Sequence, residues 1–382
     1  MSTHAAAASP SNGATGHSRK LRVVGWSTGT VGRHVIAGVD KHPDLELVGL
    51  WVSNPDKTGK DAGELAGLGR ELGVTATNDR EALFALKPDA IIHTAMTDDR
   101  IFESIEDLKS FLNAGINVVS SGPVLLQYPY GVLWEDGLRE VEEACTRGNA
   151  SIHVNGIDPG FANDVLPLVM TSLSQRIDQV KVSEIVDYST YYQPVVMRDI
   201  FGFGKAVDDE EPMLWKPGIL SMGWGSVVRQ IAAGLGLTLD EPLVESVDRR
   251  PAPVDTKTVS VDIEAGAMGA VKFQVIGRVD GVDRVILEHV TRTAEDQVPE
   301  WPTPPDGGGC YRVEITGEPN MKVDFTHCGE NGDHNDSGMI TTAQRLVNSV
   351  SSVVAAESGI VTALDLFHVT GRGLVSSKET DR

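Results

Sequence analysis

Cysteine is scarce in this chain of 382 residues: there are three, Cys145, Cys310 and Cys328, widely scattered. That number and spacing exclude a disulfide framework and fit a reduced, cytoplasmic setting. No apolar run reaches the roughly 18 residues that a membrane-spanning helix needs. The start of the chain lacks the apolar core of a signal peptide. Basic residues are outnumbered, with 33 Lys and Arg against 54 Asp and Glu and a net charge of −21. A field of that sign repels nucleic-acid backbones and anionic membranes, and no Lys/Arg cluster offsets it, so neither is expected as a partner. Metal-ligand spacing is missing too. His327, Cys328 and His334 have no second pair at the separation zinc sites use, so no metal is expected and an acidic, hydrated loop is the better reading.

What is present is a chain that is 41% hydrophobic and long enough for two domains. Residues 1–19, rich in Ala, Ser and Gly, read as a disordered tail. From residue 20, apolar strands and helices alternate with short links. Strands are expected at 21–25, 45–52, 90–96, 116–122 and 150–156, and helices at 31–41, 79–86, 101–114 and 138–148. That alternation predicts a parallel sheet with helices on both faces and right-handed crossovers. The pattern changes at Lys181. Strands follow one another at 181–192, 258–265, 271–279, 284–292 and 311–317, with turns such as Asp280-Gly281 and a single helix near 220–235, which predicts a mainly antiparallel sheet. Residues 298–309 read as a loop. Residues 339–356 are helical and are expected to return the chain to the first domain.

The first strand runs through Gly25 into Ser27-Thr28-Gly29-Thr30-Val31-Gly32 and then a helix. The dinucleotide-binding fingerprint is G-x-G-x-x-G in this setting. Gly29 and Gly32 keep its register, and Ser27 replaces the first glycine. Glycines here let the backbone approach a pyrophosphate held at the helix N-terminus, and the hydroxyl of Ser27 or Thr28 can donate to phosphate. Gly25, Ser27, Thr28, Gly29, Thr30, Val31 and Gly32 are therefore the expected diphosphate cradle.

The tip of the second strand carries no acid for a ribose 2′-hydroxyl. Ser53 and Asn54 can donate hydrogen bonds and Lys57 and Lys60 can offset phosphate charge, which favours NADP. Asp56 keeps NAD as the alternative. Thr94 and Ala95, and Ser121 and Gly122, follow the next strands and are expected to line the ribose and nicotinamide, because ligands sit at the carboxyl ends of parallel strands. Asn155 and Gly156 mark the crossover between domains and are expected to bond the carboxamide through their backbone.

The stretches VVGWSTGTVGRHVI, ELVGLWVSNPDKTGKDAGEL, AGINVVSS, NGIDPGFANDVLPL, VDYST, LEHVTR followed by EWP, and GDHNDSGMITTAQRLVNSV span nearly the whole chain after the tail. In order and spacing they resemble the dihydrodipicolinate-reductase-like superfamily, and within it the branch holding 2,4-diaminopentanoate dehydrogenase and the native amine dehydrogenases. The resemblance implies an α/β fold. An N-terminal Rossmann dinucleotide-binding domain, residues 20–160 completed by 340–372, joins an α+β substrate and dimerisation domain at 161–339. It also implies hydride transfer between NAD(P)H and an imine, amine or ketone, and a homodimer.

Two departures stand out. Dihydrodipicolinate reductases carry a histidine pair where this chain has Glu184-Ile185-Val186-Asp187. Amine dehydrogenases of the branch place a glutamate just before a Tyr-Pro, where this chain has Val124-Leu125-Leu126-Gln127-Tyr128-Pro129. The missing acid motivates an alternative, a catalytically inactive NADP-binding sensor.

Three side chains are candidates for the chemistry. His289 matches a pocket histidine of the branch and has a pKa suited to proton transfer, or is a structural strand histidine. Asp187 is an amine anchor, an orienter of Tyr191 or a structural acid. Tyr128 is a proton donor or an aromatic packed under the nicotinamide. The aromatic run Tyr188 to Pro194 is a candidate pocket lining or a packed β surface.

Overall fold

The computed structural model describes residues 19–366 and 368–375, so the expected tail at 1–19 lies, but for Arg19, outside the described residues. The chain opens with β1 (Leu21–Trp26), α1 (Thr30–Lys41), β2 (Leu45–Trp51), α2 (Ala62–Ala66), β3 (Ala76–Thr77), α3 (Arg80–Ala85), β4 (Ala90–His93), α4 (Ile101–Asn113), β5 (Asn117–Ser120), α5 (Glu135–Gly148) and β6 (Ser151–Val154). These strands form a parallel sheet in the order β6-β5-β4-β1-β2-β3. Alternation along each strand sends side chains to opposite layers. Val23, Ile92 and Val119 pack with α1 residues Val35 and Val39, whereas Val24, Ile91 and Val118 pack with Leu108 and Phe111 of α4 and Val141 of α5. Strands β4 and β5 stop at His93 and Ser120, short of the expected Met96 and Gly122, and the residues beyond them form the rim of a cleft.

The second half contains α6 (Val165–Thr171), β7 (Arg176–Asp187), α7 (Ile219–Gly234), β8 (Val244–Pro251), β9 (Thr256–Lys257), β10 (Asp262–Ile263), β11 (Met268–Val279), β12 (Val282–Arg292), β13 (Gly309–Glu318), β14 (Met321–Phe325), α8 (His334–Ala355) and β15 (Gly359–Ile360). Six of these strands form a sheet ordered β14-β13-β7-β12-β11-β8, with α7 and the largest apolar cluster on one face. All its pairs are antiparallel except β7 with β12. A simple meander could not make that pair. Parallel neighbours need a long crossover, and α7, β8 and β11 supply it.

Two expected strands are cut short by side chains that bond the backbone themselves. β7 ends at Asp187 because its carboxylate accepts the Ser189 N–H at 2.7 Å. The expected strand 258–265 is a small hairpin, β9 with β10, because the Thr258 hydroxyl accepts the N–H groups of Ser260 and Val261.

α8 begins at His334, five residues earlier than expected, since the Asp333 carboxylate caps it through Asn335 and Asp336. It packs against α1, β4 and β5, and β15 then joins β6 as a seventh parallel strand.

Candidate active site

A cavity of about 920 Å³ lies between the carboxyl ends of the parallel strands and one face of the six-stranded sheet. Its nucleotide end is built from the turn after β1. Gly29 caps α1 with no side chain closing the helix end, so the first-turn N–H groups face the cleft. A Cβ added at Gly29 would meet nothing nearer than Ser27 Oγ at 3.7 Å, which leaves room for a ligand to approach the backbone. At Gly32 a Cβ would sit 2.4 Å from the Ser27 carbonyl oxygen, so this glycine serves close packing of helix against turn. Ser27 adopts φ 101, a region glycine favours, and its hydroxyl accepts the Gly29 N–H at 3.3 Å. A serine thus occupies a glycine conformation and braces the turn. An open, N–H-lined cradle of this kind fits a dinucleotide diphosphate.

Of the expected cofactor residues, Ser27, Gly29, Thr30, Val31, Ser53, Thr94, Ala95 and Ser121 line the cavity. Gly25, Thr28, Gly32, Asn54, Lys57, Lys60, Gly122, Asn155 and Gly156 lie behind or beside it. Gly25 sits inside β1 under Leu50. Lys57 donates to the Thr28 hydroxyl at 2.9 Å, which holds its charge beside the glycine turn. Lys60 reaches Glu64 at 3.6 Å, and Asn54 accepts the Asp56 N–H. At Gly122 a Cβ would strike the Thr97 hydroxyl. Asn155 is buried, donates to Asp164 at 2.8 Å and accepts from Arg345 at 3.0 Å, tying the crossover to α8, while the Gly156 carbonyl accepts the Phe161 N–H.

The far end of the cavity is ordered by strand register. Phe325, Tyr311, Glu184, His289, Phe273 and Val247 are successive partners across β14, β13, β7, β12, β11 and β8. Glu184 and His289 occupy the middle of that row, with Glu184 Oε2 2.6 Å from His289 Nε2. His289 Nδ1 lies 2.7 Å from the Thr291 hydroxyl, and Phe273 stacks on the imidazole at 4.9 Å. Both ring nitrogens are therefore engaged and the ring is clamped. Glu184, His289, Tyr188, Tyr191 and Tyr311 line the cavity together with Asp158, from the loop after β6, and Trp224, from α7. Burial, then the Glu184 charge, raises the Tyr188 and Tyr311 hydroxyls above their ordinary range. Burial and the same charge raise the Asp158 carboxyl well above the usual carboxylate range, against the opposing side chains of Asn163 and Trp224.

The other two candidates lie elsewhere. Asp187 is three residues from Glu184 on β7, so alternation turns it to the opposite face. There it borders a separate small depression with Arg292 and Glu295. Tyr128 packs edge-on against Tyr130 at 5.1 Å, outside the cavity lining, whereas its neighbours Val124 and Leu125 do line it. Tyr192 is exposed.

Sequence reasoning missed Glu184, Asp158, Trp224 and Tyr311. Glu184 had a visible signal: in Val182-x-Glu184-x-Val186 an acid stands on the apolar phase of an alternating strand. The others are brought in by register and by a loop, which spacing along the chain does not reveal. Among the described residues no group of three or more His, Cys, Asp or Glu is arranged to hold a metal ion, and no helix is long and apolar enough to cross a membrane.

Comparison with known proteins agrees with this geometry. Residues 161–377 match the family described as 2,4-diaminopentanoate dehydrogenase C-terminal domain, and residues 19–120 match dihydrodipicolinate reductase, N-terminus. The chain is 41% identical over 349 residues to an amine dehydrogenase of Streptomyces virginiae, covering 91% of this chain and 96% of that protein. It is 24% identical to the 2,4-diaminopentanoate dehydrogenase of Acetoanaerobium sticklandii, covering 91% and 93%. In fold it is similar to the solved amine dehydrogenase from Mycobacterium smegmatis, with a TM-score of 0.76 at 20% identity over 94% of this chain and 98% of that one. A Rossmann-type sheet, an open diphosphate cradle and matches along both halves lead to one assignment: the chain belongs to the 2,4-diaminopentanoate dehydrogenase and amine dehydrogenase family of NAD(P)-dependent oxidoreductases.

Proposed function

We propose that this enzyme interconverts a small, largely apolar amine with its imine or ketone, using NADP in preference to NAD. The observation that carries the reading is the continuity of the cavity from Ser27 and Gly29 at the head of α1 to Glu184 and His289 on the second sheet. Such a cleft can hold a dinucleotide along one wall and present a substrate carbon to its inner end. When bound, the nicotinamide supplies or accepts the hydride. The chain's own part is to hold the substrate, exclude water and manage protons. Ile200, Leu214, Ile219 and Met222 line the substrate end, which suits hydrocarbon substituents. A single wide turn at Val196–Phe201 supplies Ile200 together with Val196 and Phe201 to the lining, and such turns are frequent at functional sites. Lys57 beside the glycine turn supports recognition of a ribose phosphate.

The same reading makes the enzyme a cytoplasmic homodimer. Light scattering on the purified chain checks the dimer. The activity test is a panel of ketones and cyclic imines, with and without ammonia, followed by NADPH absorbance. Turnover of any member supports the reading. NADPH binding with no oxidation across the panel identifies a sensor instead.

A further inference from the structure

Among the described residues three buried polar atoms of the cavity wall make no hydrogen bond of good geometry: Trp51 Nε1 and, at the substrate end, Asp158 Oδ1 and the indole Nε1 of Trp224, two groups that lie near each other. Native structures rarely leave such atoms unengaged unless a ligand or a reaction uses them. Asp158 sits on the loop that leaves β6, beside the nicotinamide end of a Rossmann cleft. Glu184 is the second acid here, already paired with His289 at 2.6 Å. Carboxyl groups sharing a low-dielectric pocket do not both ionise readily. Burial, then the neighbouring Glu184 charge, favours the neutral form of Asp158, which has no cationic partner, whereas Glu184 already has His289 Nε2 at 2.6 Å. A neutral carboxyl and an indole N–H are both donors, and what they await is an acceptor such as a carbonyl or hydroxyl oxygen.

Resting on the function proposed above, we infer that Asp158 is the acid that expels water from the substrate, with Glu184 and His289 as the group that takes the proton ammonium gives up. Ammonium transfers a proton to Glu184, and the freed ammonia adds to the ketone carbon. The C–N bond forms, the carbonyl π pair moves to oxygen, and a proton passes from nitrogen to that oxygen. Asp158 then protonates the hydroxyl, the C–O bond breaks, water leaves, and an iminium faces the hydride donor. Proton return from Glu184 to Asp158 resets the pair. The sum is ketone, ammonium and hydride giving amine and water. Acid for this reaction thus comes from the crossover loop and β7, not from residues 124–129.

Reduction of a preformed cyclic imine needs no water expulsion, which supplies the test. Asp158→Asn keeps shape and removes the proton. The ratio of ketone amination to cyclic-imine reduction is expected to fall roughly 100-fold, the lower end of general-acid contributions, while NADPH affinity by calorimetry stays within twofold. Equal losses in both reactions, or no loss of amination, overturn the inference and leave the proposed function standing. Wild-type protein that reduces neither substrate defeats the proposed function, and this inference with it.

A second variant decides the matter if Asp158→Asn does not fold. Glu184→Gln removes both the proton acceptor and the charge that favours the neutral form of Asp158, so the amination rate is expected to fall and the alkaline limb of the activity that remains to move to lower pH. An unmoved limb overturns the inference. Asp164, Tyr188 and Tyr311 also face Asp158, and Tyr191, His289, His327 and His334 lie around Glu184. Neither substitution alters these groups.

Discussion

Glu184 and His289 are register partners on two parallel strands, and their side chains meet at 2.6 Å in the centre of a six-strand row. Their separation is set by backbone pairing, not by a loop, so the pair is held rigidly whether or not a ligand is present. His289→Phe tests its importance. The new ring keeps the stack on Phe273 and strips Glu184 of its donor. Turnover is expected to drop at least about 100-fold, stability by about 1–3 kcal/mol, and NADPH affinity not at all. Steady-state kinetics, thermal melts and calorimetry separate the three.

Gly29→Asp places a carboxylate where the cradle is open. No protein atom obstructs it, so folding is expected to survive and melting to stay within a few degrees. Cofactor binding is expected to disappear, because an anion would occupy the diphosphate position at the helix head. Unchanged NADPH affinity in calorimetry would count against the cradle.

Ser27 and Gly32 make opposite demands on one turn. Ser27→Gly relieves a serine held at φ 101, and the relief is worth about 1 kcal/mol. The loss of the hydroxyl that accepts the Gly29 N–H offsets part of that gain. Gly32→Ala drives a methyl group to 2.4 Å from the Ser27 carbonyl oxygen and is expected to cost about 1–3 kcal/mol as helix and turn separate. Denaturant melts of both variants should therefore move apart, and a destabilised Ser27→Gly would mean that the hydroxyl outweighs the strain.

Lys57→Ala removes the cation that sits 2.9 Å from the Thr28 hydroxyl. If that charge reads a ribose phosphate, NADPH binding weakens roughly tenfold, about 1.4 kcal/mol, and NADH binding hardly changes. Parallel titrations with the two cofactors give the ratio, and equal losses would remove Lys57 from the cofactor choice.

Much of the nucleotide half was legible because its signals are local. The alternation of apolar strands with amphipathic helices, and the glycines at 29 and 32, each report on a few adjacent residues. Apolar alternation runs on past the true strand end where a side chain ends the ladder, as Asp187 and Thr258 do. The substrate end resisted reading for a different reason. Asp187 and Glu184 are close in sequence but face opposite sides of β7, while Glu184 and His289 are over a hundred residues apart and touch. Register across strands is a tertiary property, and only the acid within Val182-x-Glu184-x-Val186 betrayed it. Tyr128 stands beside Pro129 in a recognisable motif, yet the residues of that run that reach the cavity are Val124 and Leu125.

Two histidines of the nucleotide half weaken the fold in acid. His93 and His153 are fully enclosed, and burial pushes each down to about 4. His93 Nδ1 meets the Ser120 hydroxyl at 2.9 Å and His153 Nδ1 the Val361 carbonyl at 2.8 Å, and the Nε2 atom of each lacks a partner. The folded state therefore holds both rings neutral, while the unfolded chain binds protons on them from about pH 6.5 downward. Their contribution to stability is complete above about pH 6.5 and is lost as pH falls through 4, at up to about 1.4 kcal/mol per pH unit for each ring. Asp158 titrates in the opposite sense, since burial favours its neutral form, and softens the fall. A substitution isolates the histidine part. His153→Gln retains a donor for the Val361 carbonyl and cannot take up a proton, so its melting temperature should decline less steeply than that of the wild type between pH 6.5 and 4. Parallel slopes for the two proteins would show that His153 is protonated in the fold or that acid unfolding is governed elsewhere.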